Sequence, residues 1–263
     1  MRLAGIGDNC VDYYVDFQKG YAGGQPVNAA VYTVRHGYDA AYIGLVGTDS
    51  FGDLIRDHLT KKGVDCRYLR SCEGYTAVSC YRMNGNDRMS IGGDRGVRPL
   101  YRPTDEEIEF CANAEWIHTS IWALMEEYLP RLRAKGALIS YDFAEEFDSP
   151  KIDIAMPYID YVQFGGKADT FYTRDFMKDV FSKGKGTTKA VVYTLGPDGS
   201  LVYDGKTFYK ESAVPVKVVD TMGAGDTYMS GFMNAICDGK PIQEAMKTGA
   251  LWASETLQYF GPH

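Results

Sequence analysis

The chain has 263 residues, 45% apolar and 24% charged, and its 28 basic and 35 acidic residues give a net charge of −7. This length suits one large domain or two small ones, with a core that needs neither disulfides nor a structural metal. The acidic balance and the lack of a Lys/Arg run argue against nucleic-acid binding through the phosphate backbone. No apolar stretch reaches the 18 residues typical of a membrane-spanning helix, so we expect no membrane partner.

The cysteines and the amino-terminal residues indicate a cellular compartment. None of the six cysteines forms a C-x-x-C pair, and the four histidines are scattered, which predicts reduced thiols and no structural zinc. Asp8 comes too early for the apolar core of a signal peptide. We therefore expect a cytoplasmic protein.

In chain order, β-type runs alternate with helical periodicity. Strands are predicted over 3–7, 40–46, 66–70, 114–119, 137–143, 158–164 and 190–195, with helices over 25–37, 51–62 and other stretches between them. Such alternation is typical of an α/β protein with a doubly wound, mostly parallel sheet and helices on both faces.

Two stretches interrupt this pattern. Residues 11–17 have an extended, aromatic character directly after the first strand, and residues 75–83 and 87–91 flank a hairpin signal, Asn84-Gly85-Asn86. We interpret them as a small β-sheet lid, discontinuous in sequence, from about 11–19 and 75–95. Residues 1–263 are otherwise predicted to be a single domain.

A glycine-rich loop near the carboxyl terminus is the strongest chemical signal. A β-type run over 216–220 leads into Asp220-Thr221-Met222-Gly223-Ala224-Gly225-Asp226, and an apolar helix is predicted over 228–236. A helix that begins at such a turn presents free backbone N–H groups to an anion, and small residues let a phosphate approach. Asp226 beside that site makes sense as a general base for a hydroxyl that attacks phosphorus. A plain helix cap is the alternative, which the full motif disfavours.

D-T-x-G-A-G-D is similar to the signature of the ribokinase-like carbohydrate kinases, the PfkB family. Three further stretches resemble family motifs in the family's order: Gly23-Gly24-Gln25-Pro26-Val27-Asn28, residues 44–52 (G-L-V-G-T-D-S-F-G) and Thr194-Leu195-Gly196-Pro197-Asp198-Gly199. The resemblance covers nearly the whole chain, from about residue 3 to 261.

The resemblance implies a ribokinase-like core with a β-lid and transfer of the ATP γ-phosphate to a primary sugar hydroxyl. It implies that Asp226 is the catalytic base and that the amides of Gly223, Ala224 and Gly225 form the anion hole. The implied ATP-binding residues are Thr194, Gly196, Gly199 and Thr221, and the implied sugar-binding residues are Asp12, Gly23, Gly24 and Asn28. Asp220 and the backbone of Met222 are candidate ligands of a monovalent cation such as K⁺. Aromatic residues of the lid suggest a homodimer formed through the lid.

One departure concerns magnesium. Where most family members carry N-x-x-E, this chain has Gln163-Phe164-Gly165-Gly166-Lys167-Ala168-Asp169. ATP still requires Mg²⁺ to neutralise its phosphates. We expect Asp169 or Asp142 to take over this role through water.

The opening Ile6-Gly7-Asp8-Asn9-Cys10-Val11-Asp12 bears on the sugar, because two acids four residues apart suit either a cationic substrate or a bidentate pair on sugar hydroxyls. This stretch, together with residues 86–88, 148–150 and 258–259, resembles the fructosamine kinases of the family. The implied acceptor is the 6-hydroxyl of a fructosamine such as fructoselysine, with Asp8 near its secondary ammonium and Arg88 near the tail carboxylate. The alternatives are that Asp8 caps a turn and that Arg88 is a solvated lid residue.

Two other functions stay open on the sequence. The chain could phosphorylate another small sugar or a nucleoside, as ribokinases and fructokinases do. It could also be a non-catalytic sugar-binding relative, although the intact glycine turn and Asp226 argue against this.

Overall fold

The structure, a computed structural model, describes residues 1–85 and 87–263, so Asn86 of the predicted hairpin turn lies outside the described residues. In chain order the strands are β1 (Leu3–Gly7), β2 (Cys10–Tyr14), β3 (Lys19–Gly23), β4 (Ala40–Gly47), β5 (Leu69–Cys72), β6 (Val78–Asn84), β7 (Asp87–Asp94), β8 (Trp116–Ser120), β9 (Leu138–Asp142), β10 (Tyr161–Gly165), β11 (Ala190–Thr194), β12 (Ser200–Tyr203) and β13 (Phe208–Glu211). The helices are α1 (Gln25–Arg35), α2 (Ser50–Lys62), α3 (Asp105–Ala112), α4 (Leu129–Leu132), α5 (Lys151–Ala155), α6 (Phe171–Lys183), α7 (Ala224–Cys237) and α8 (Ile242–Thr256).

Nine of the described strands form the main sheet, in the order β13-β12-β11-β10-β9-β8-β1-β4-β5. The strands from β11 to β5 are parallel, and β12 and β13 add an antiparallel edge. The prediction of a mostly parallel, doubly wound sheet is confirmed. β1 lies between β4 and β8, so the chain winds outward from β1 in both directions.

Both faces of this sheet are covered, which explains why its central strands read as continuous apolar runs. Every residue of β1 and β4 is buried. Successive side chains point to opposite faces. Ile6 and Ile43 therefore join one core, while Leu3 and Tyr42 join the other.

The second sheet, here called the lid, has four strands in the order β3-β2-β6-β7. β2 and β6 are parallel, and the two outer pairs are antiparallel. The lid therefore extends to Gly23, beyond the bound of about residue 19 predicted for its first segment.

Two glycines of residues 44–52, Gly47 and Gly52, pack closely against backbone at the start of the lid. A Cβ on Gly47 would lie 2.3 Å from the carbonyl oxygen of Gly74, and one on Gly52 would lie 2.2 Å from that of Gly47. Asp49 caps α2 by accepting from the Gly52 amide at 3.0 Å, and it also accepts from the Thr76 hydroxyl at 2.6 Å. This motif thus ties the end of β4 to the segment that enters β6.

Two predicted strands differ from the structure. Residues 216–220 form no strand, because this segment leaves the sheet edge at β13 and runs along a cavity instead. The strand predicted over 66–70 lies at Leu69–Cys72, because Leu69 N bonds to Cys66 O in a turn that delays pairing with β4. Among the described residues, no helix is long and apolar enough to cross a membrane.

Candidate active site

A cluster of buried polar side chains lies where the carboxyl ends of β1, β8, β9 and β10 meet the amino termini of α1 and α7. In open α/β sheets, ligands bind at this edge, where the strand order reverses. The cluster comprises Asp8, Asp12, Asn28, Ser120, Asp142, Gln163 and Asp226. The sequence analysis singled out all of these except Ser120 and Gln163 as candidate site residues.

Asp226 lies in the first turn of α7 and is only 9% exposed. Its Oδ2 accepts a 2.6 Å hydrogen bond from Nδ2 of Asn28, a residue of α1. Burial raises the pKa of Asp226 to about 6, although the Asn28 hydrogen bond opposes this rise. A carboxyl group with such a pKa can accept a proton near neutral pH.

The turn before Asp226 is built for an anion. Gly223 precedes α7 in the left-handed conformation, at φ 73°, and no side chain caps the helix. The first N–H groups of a helix lack intrahelical acceptors, and the helix dipole adds positive potential there. Ala224 and Gly225 also line the cavity beside the turn, so a phosphate in that cavity would lie at the start of the helix.

Three further carboxyl groups of the cluster are costly to ionise. Burial raises the pKa of Asp12 to about 7, that of Asp8 above its usual range and that of Asp142 well above it. The charge of Asp226 raises the pKa values of Asp12 and Asp142 further. A cationic ligand would relieve this repulsion, because it favours the charged form of each group.

Asp8 follows β1 and is 2% exposed. It accepts a short hydrogen bond from the Ser120 hydroxyl, and the backbone amide of Gln25 also favours its charged form. Gln25 is the first residue of α1, so Asp8 does stabilise a helix start, as the turn-cap alternative supposed. Its place beside Asp142 and Asp226 still leaves it within the polar cluster.

Gly23 and Gly24 permit a close approach of the lid to α1. A Cβ on Gly23 would lie 2.0 Å from Oδ2 of Asp12, and one on Gly24 would lie 2.7 Å from Cα of Asn9. Gly24 also has φ 111°, a backbone conformation that disfavours other residues. Its carbonyl oxygen accepts a hydrogen bond from the backbone N–H of Asn28 at 2.9 Å. These glycines therefore bring Asp12 and Asn28 to the same side of the site.

Arg88, on lid strand β7, reaches the glycine-rich loop. Its Nη1 donates to Oγ1 of Thr221 at 2.7 Å, and its charge lowers the pKa values of Asp12 and Asp226. The guanidinium thus lies beside the candidate base and the anion turn. This placement suits contact with a phosphate better than the predicted contact with a tail carboxylate.

A cavity of about 660 Å³ lies on the far side of the anion turn. This volume is in the range of small-molecule sites. It contains all four residues predicted to bind ATP: Thr194, Gly196, Gly199 and Thr221. Apolar side chains form much of the remaining wall: Val214, Val216, Val218, Ala250 and Leu257. Residues 216–220, which were wrongly predicted as a strand, thus supply part of the apolar wall.

Gln163 occupies the position at which the family's N-x-x-E motif begins. Its Nε2 donates to Asp142 Oδ2 at 3.0 Å and to the Gly225 carbonyl at 3.1 Å, while its Oε1 is buried without a partner. The side chain therefore joins β9 to the anion turn. Its position at the end of a buried parallel strand is the signal that could have revealed it.

Asp169 and Asp142 were both expected to assist Mg²⁺, and the structure places them differently. Asp169 forms a two-pronged ion pair with Arg174, at 2.8 and 2.9 Å, and does not line the cavity. Asp142 lies in the cluster. Glu145, which the sequence analysis passed over, lines the cavity three residues after Asp142. Among the described residues, no group of three or more His, Cys, Asp or Glu is placed to hold a metal.

Asp220 is buried and joins three parts of the chain. Its Oδ2 accepts from the Tyr14 hydroxyl at 2.5 Å and from the Gly261 amide at 3.0 Å, and its Oδ1 accepts from the Met222 amide at 3.0 Å. It therefore fixes the glycine-rich loop against the lid and the carboxyl-terminal segment. These bonds leave its predicted role toward K⁺ untested.

The sequence matches the pfkB family carbohydrate kinases over residues 7–138 and 173–263. The chain belongs to this family, whose members phosphorylate sugars. The resemblance noted in the sequence is thereby confirmed, as is the predicted class, a phosphotransferase with an alcohol group as acceptor.

Two relatives match almost end to end. A fructoselysine 6-kinase of Escherichia coli is 35% identical, with 98% of each chain covered. A fructosamine kinase of Bacillus subtilis is 28% identical, with 99% of this chain and 92% of that one covered. An Arabidopsis thaliana ribokinase solved with ribose and ATP has a TM-score of 0.85 at 22% identity, covering 99% of this chain and 93% of that one. This last likeness confirms the ribokinase-like fold.

Proposed function

We propose that this protein is an ATP-dependent kinase that phosphorylates the 6-hydroxyl of a fructosamine such as fructoselysine. The observation that carries the proposal is the position of Asp226, which joins an anion-binding turn on one side to a cluster of buried carboxyl groups on the other. The match to a fructoselysine 6-kinase over 98% of both chains supports the choice of substrate.

The proposed reaction assigns a role to each group around Asp226. Its carboxylate takes the proton of the 6-hydroxyl as the hydroxyl oxygen attacks the γ-phosphorus, and the bond to the β-phosphate oxygen breaks to release ADP. The amides of Gly223, Ala224 and Gly225 stabilise charge on the transferred group. Arg88 contributes a positive charge from the lid, beside Thr221.

The choice of a fructosamine rests on charge. Asp8 and Asp12 are 2% and 3% exposed, and burial raises the pKa of each. The charges of Arg98 and Arg88 only partly offset this burial. A neutral sugar would add no further positive charge, whereas a secondary ammonium next to the sugar would pair with one of the two carboxyl groups. We assign the ammonium to Asp8 and the sugar hydroxyls to Asp12 and Asn28, with Gly23 and Gly24 shaping that wall.

ATP is assigned to the cavity of about 660 Å³, with Thr194, Gly196, Gly199 and Thr221 on its wall. When bound, Mg²⁺ neutralises phosphate charge. Asp142, Gln163 and Glu145 would orient its water ligands, and the unpartnered Oε1 of Gln163 fits that task. We also retain Asp220 and the Met222 backbone as the candidate K⁺ site.

An ADP-release screen tests the proposal across fructoselysine, other fructosamines, fructose, ribose and nucleosides, with Asp226→Asn as the inactive control. We expect the highest kcat/KM for a fructosamine. Preference for a neutral sugar or a nucleoside would instead identify a ribokinase- or fructokinase-like enzyme. Sugar binding without ADP release from any acceptor would identify a non-catalytic relative.

We further propose a homodimer that forms through the lid. Met89 and Ile91 of the edge strand β7 are 51% and 45% exposed, which is consistent with a covered face in a dimer. Analytical ultracentrifugation of the wild type and of an Ile91→Lys variant tests this. The six free thiols fit a reducing compartment, and we retain the cytoplasm as the proposed location.

A further inference from the structure

A second cavity, of about 240 Å³, opens beside the sugar side of the cluster. Its wall includes Arg95, Arg98, Trp122, Leu124 and Glu146. It shares no lining residue with the nucleotide cavity. We call it the cationic cavity. Its volume is too small for a nucleotide and suits a short chain with a charged end.

Two residues that line the cationic cavity connect it to Asp8. Ile121, which lines it, directly follows Ser120, whose hydroxyl donates to Asp8. Arg98 also lines it, and its charge favours the ionised form of Asp8. A substrate whose ammonium meets Asp8 would therefore direct a substituent on that nitrogen toward this cavity.

The charges that line the cationic cavity suit an anionic ligand. Within the described chain, neither Arg95 nor Arg98 has a side-chain hydrogen bond or an ion-pair partner, although both line one cavity. Lys151 differs, since its Nζ pairs with Glu126 and donates to the Ile121 carbonyl, both at 2.9 Å. Arg98 acts on Asp8 only through its charge. Two guanidinium groups that bond to no carboxylate of the described chain fit a carboxylate from a ligand, which arginine binds in two-pronged geometry.

The remaining walls fit the rest of an amino acid. Trp122 and Leu124 are 37% and 39% exposed and offer apolar surface to an aliphatic chain. Glu146 is exposed and has no side-chain partner in the described part of the chain, so it can meet an ammonium group. Apart from the paired Lys151, the cavity thus combines apolar walls, two cations and one anion, which is the pattern that a zwitterionic amino-acid end requires.

We propose that the cationic cavity is the subsite for the amino-acid end of the substrate, with Arg95 and Arg98 binding its carboxylate and Glu146 its α-ammonium. This rests on the proposed fructosamine kinase activity. The sequence analysis had assigned the tail carboxylate to Arg88. The proposal assigns it instead to Arg95 and Arg98, at the base of the lid. Arg88 remains beside Thr221 and the anion turn.

The test compares fructoselysine with two analogues on the wild-type protein. In one analogue the α-carboxylate is a carboxamide, and in the other the lysine is replaced by pentylamine, which keeps only the secondary ammonium and the chain. We expect kcat/KM for each analogue to lie about 10- to 150-fold below that for fructoselysine, mainly through KM. Equal kcat/KM for fructoselysine and its carboxamide would overturn the subsite.

Arg95→Gln, Arg98→Gln and their double variant supply the second arm. The double variant should lower kcat/KM for fructoselysine by about 10- to 150-fold while the ratio between the two analogues stays near that of the wild type. Arg67→Gln is the matched control, because Arg67 is exposed and pairs with Asp65 outside the cavity. Equal losses on all three substrates would show that the arginines act through folding or through the charge of Asp8. That result would overturn the proposal.

Failure of the subsite and failure of the proposed function give different results. If the wild type phosphorylates fructoselysine and its carboxamide equally, the kinase assignment stands and the subsite falls. If the wild type phosphorylates none of the three fructosamines, both proposals fall together.

Discussion

Nδ2 of Asn28 donates a 2.6 Å hydrogen bond to Oδ2 of Asp226, across 198 positions of sequence. The bond joins the first turns of α1 and α7, so the candidate sugar ligand and the candidate base reach the same point from opposite ends of the chain. It also opposes the effect of burial on the pKa of Asp226, and so it lowers the pH at which this group can act.

The first prediction concerns Asp226 itself. Asp226→Asn keeps the size of the side chain but removes the base, so we expect kcat to fall about 10²- to 10⁴-fold. Calorimetry should show ATP and sugar affinities close to those of the wild type. Turnover within tenfold of the wild type would remove Asp226 from the role of base.

The second prediction concerns pH. Asp226 acts as a base only when ionised and its pKa is about 6, so kcat should fall as pH drops below 6. Asn28→Ala removes a hydrogen bond that favours the ionised form, and the acid limb should therefore move to higher pH. Asn234→Ala is the control, because Asn234 is a buried residue of α7 that bonds to Thr33 and Ser230 instead. An unchanged limb in Asn28→Ala would contradict this account.

The third prediction separates the roles of two acids near the sugar. Asp8→Asn should reduce kcat/KM for fructoselysine about 10- to 150-fold and affect fructose far less, because only the former carries the ammonium. Asp12→Asn should weaken both substrates by similar factors. Kinetics of both variants on both sugars provide the measurement. Equal losses on the two sugars for Asp8→Asn would reduce Asp8 to a cap of α1.

The fourth prediction concerns stability without ligand. Burial raises the pKa of Asp12 from its ordinary value to about 7, so the unfolded chain binds fewer protons than the folded one between these values. The contribution of Asp12 to the free energy of unfolding therefore falls as pH rises toward 7. Asp12→Asn should stabilise the ligand-free protein at pH 8, by about 1.4 kcal/mol for each pKa unit that separates the two states. Its advantage should shrink toward pH 4.

Thermal melting of Asp12→Asn and the wild type across this pH range tests the stability prediction. Substitution of Asp12 by Lys or Arg is unsuitable for this comparison, because either side chain adds volume at a buried position. A variant that is destabilised equally at pH 4 and pH 8 would show that Asp12 contributes hydrogen bonds rather than an electrostatic cost.

The fifth prediction concerns the metal. Activity should require Mg²⁺ despite the missing N-x-x-E, and EDTA should abolish it. Glu145→Gln should raise the Mg²⁺ concentration for half-maximal activity by about 10-fold, in line with the loss of an outer-sphere partner. Asp169→Asn is the control and should not change it, because Asp169 is paired with Arg174 away from the cavity. Full activity in EDTA, or a larger effect of Asp169→Asn, would contradict the assignment.

Local patterns in the sequence determined the fold class and the lid, and they predicted Asp226 as the base. Continuous apolar runs such as Ala40–Gly47 required burial on both faces, and the loop from Asp220 to Asp226 placed a carboxyl group at a helix start. The burial and the helix start could be predicted because strand burial and helix capping depend on residues close together in the chain.

Tertiary structure decided which distant groups meet. No spacing could place Ser120 against Asp8, or Arg88 against Thr221, because these contacts span 112 and 133 residues. The first depends on the pairing of β1 with β8, and the second on how the lid sits on the sheet. The sequence also could not show that Arg95 and Arg98 line one cavity, because this depends on the path of the chain after β7. Sequence supplied the chemistry of each side chain, whereas the packing of the lid on the parallel sheet decided which charges would be left without a partner.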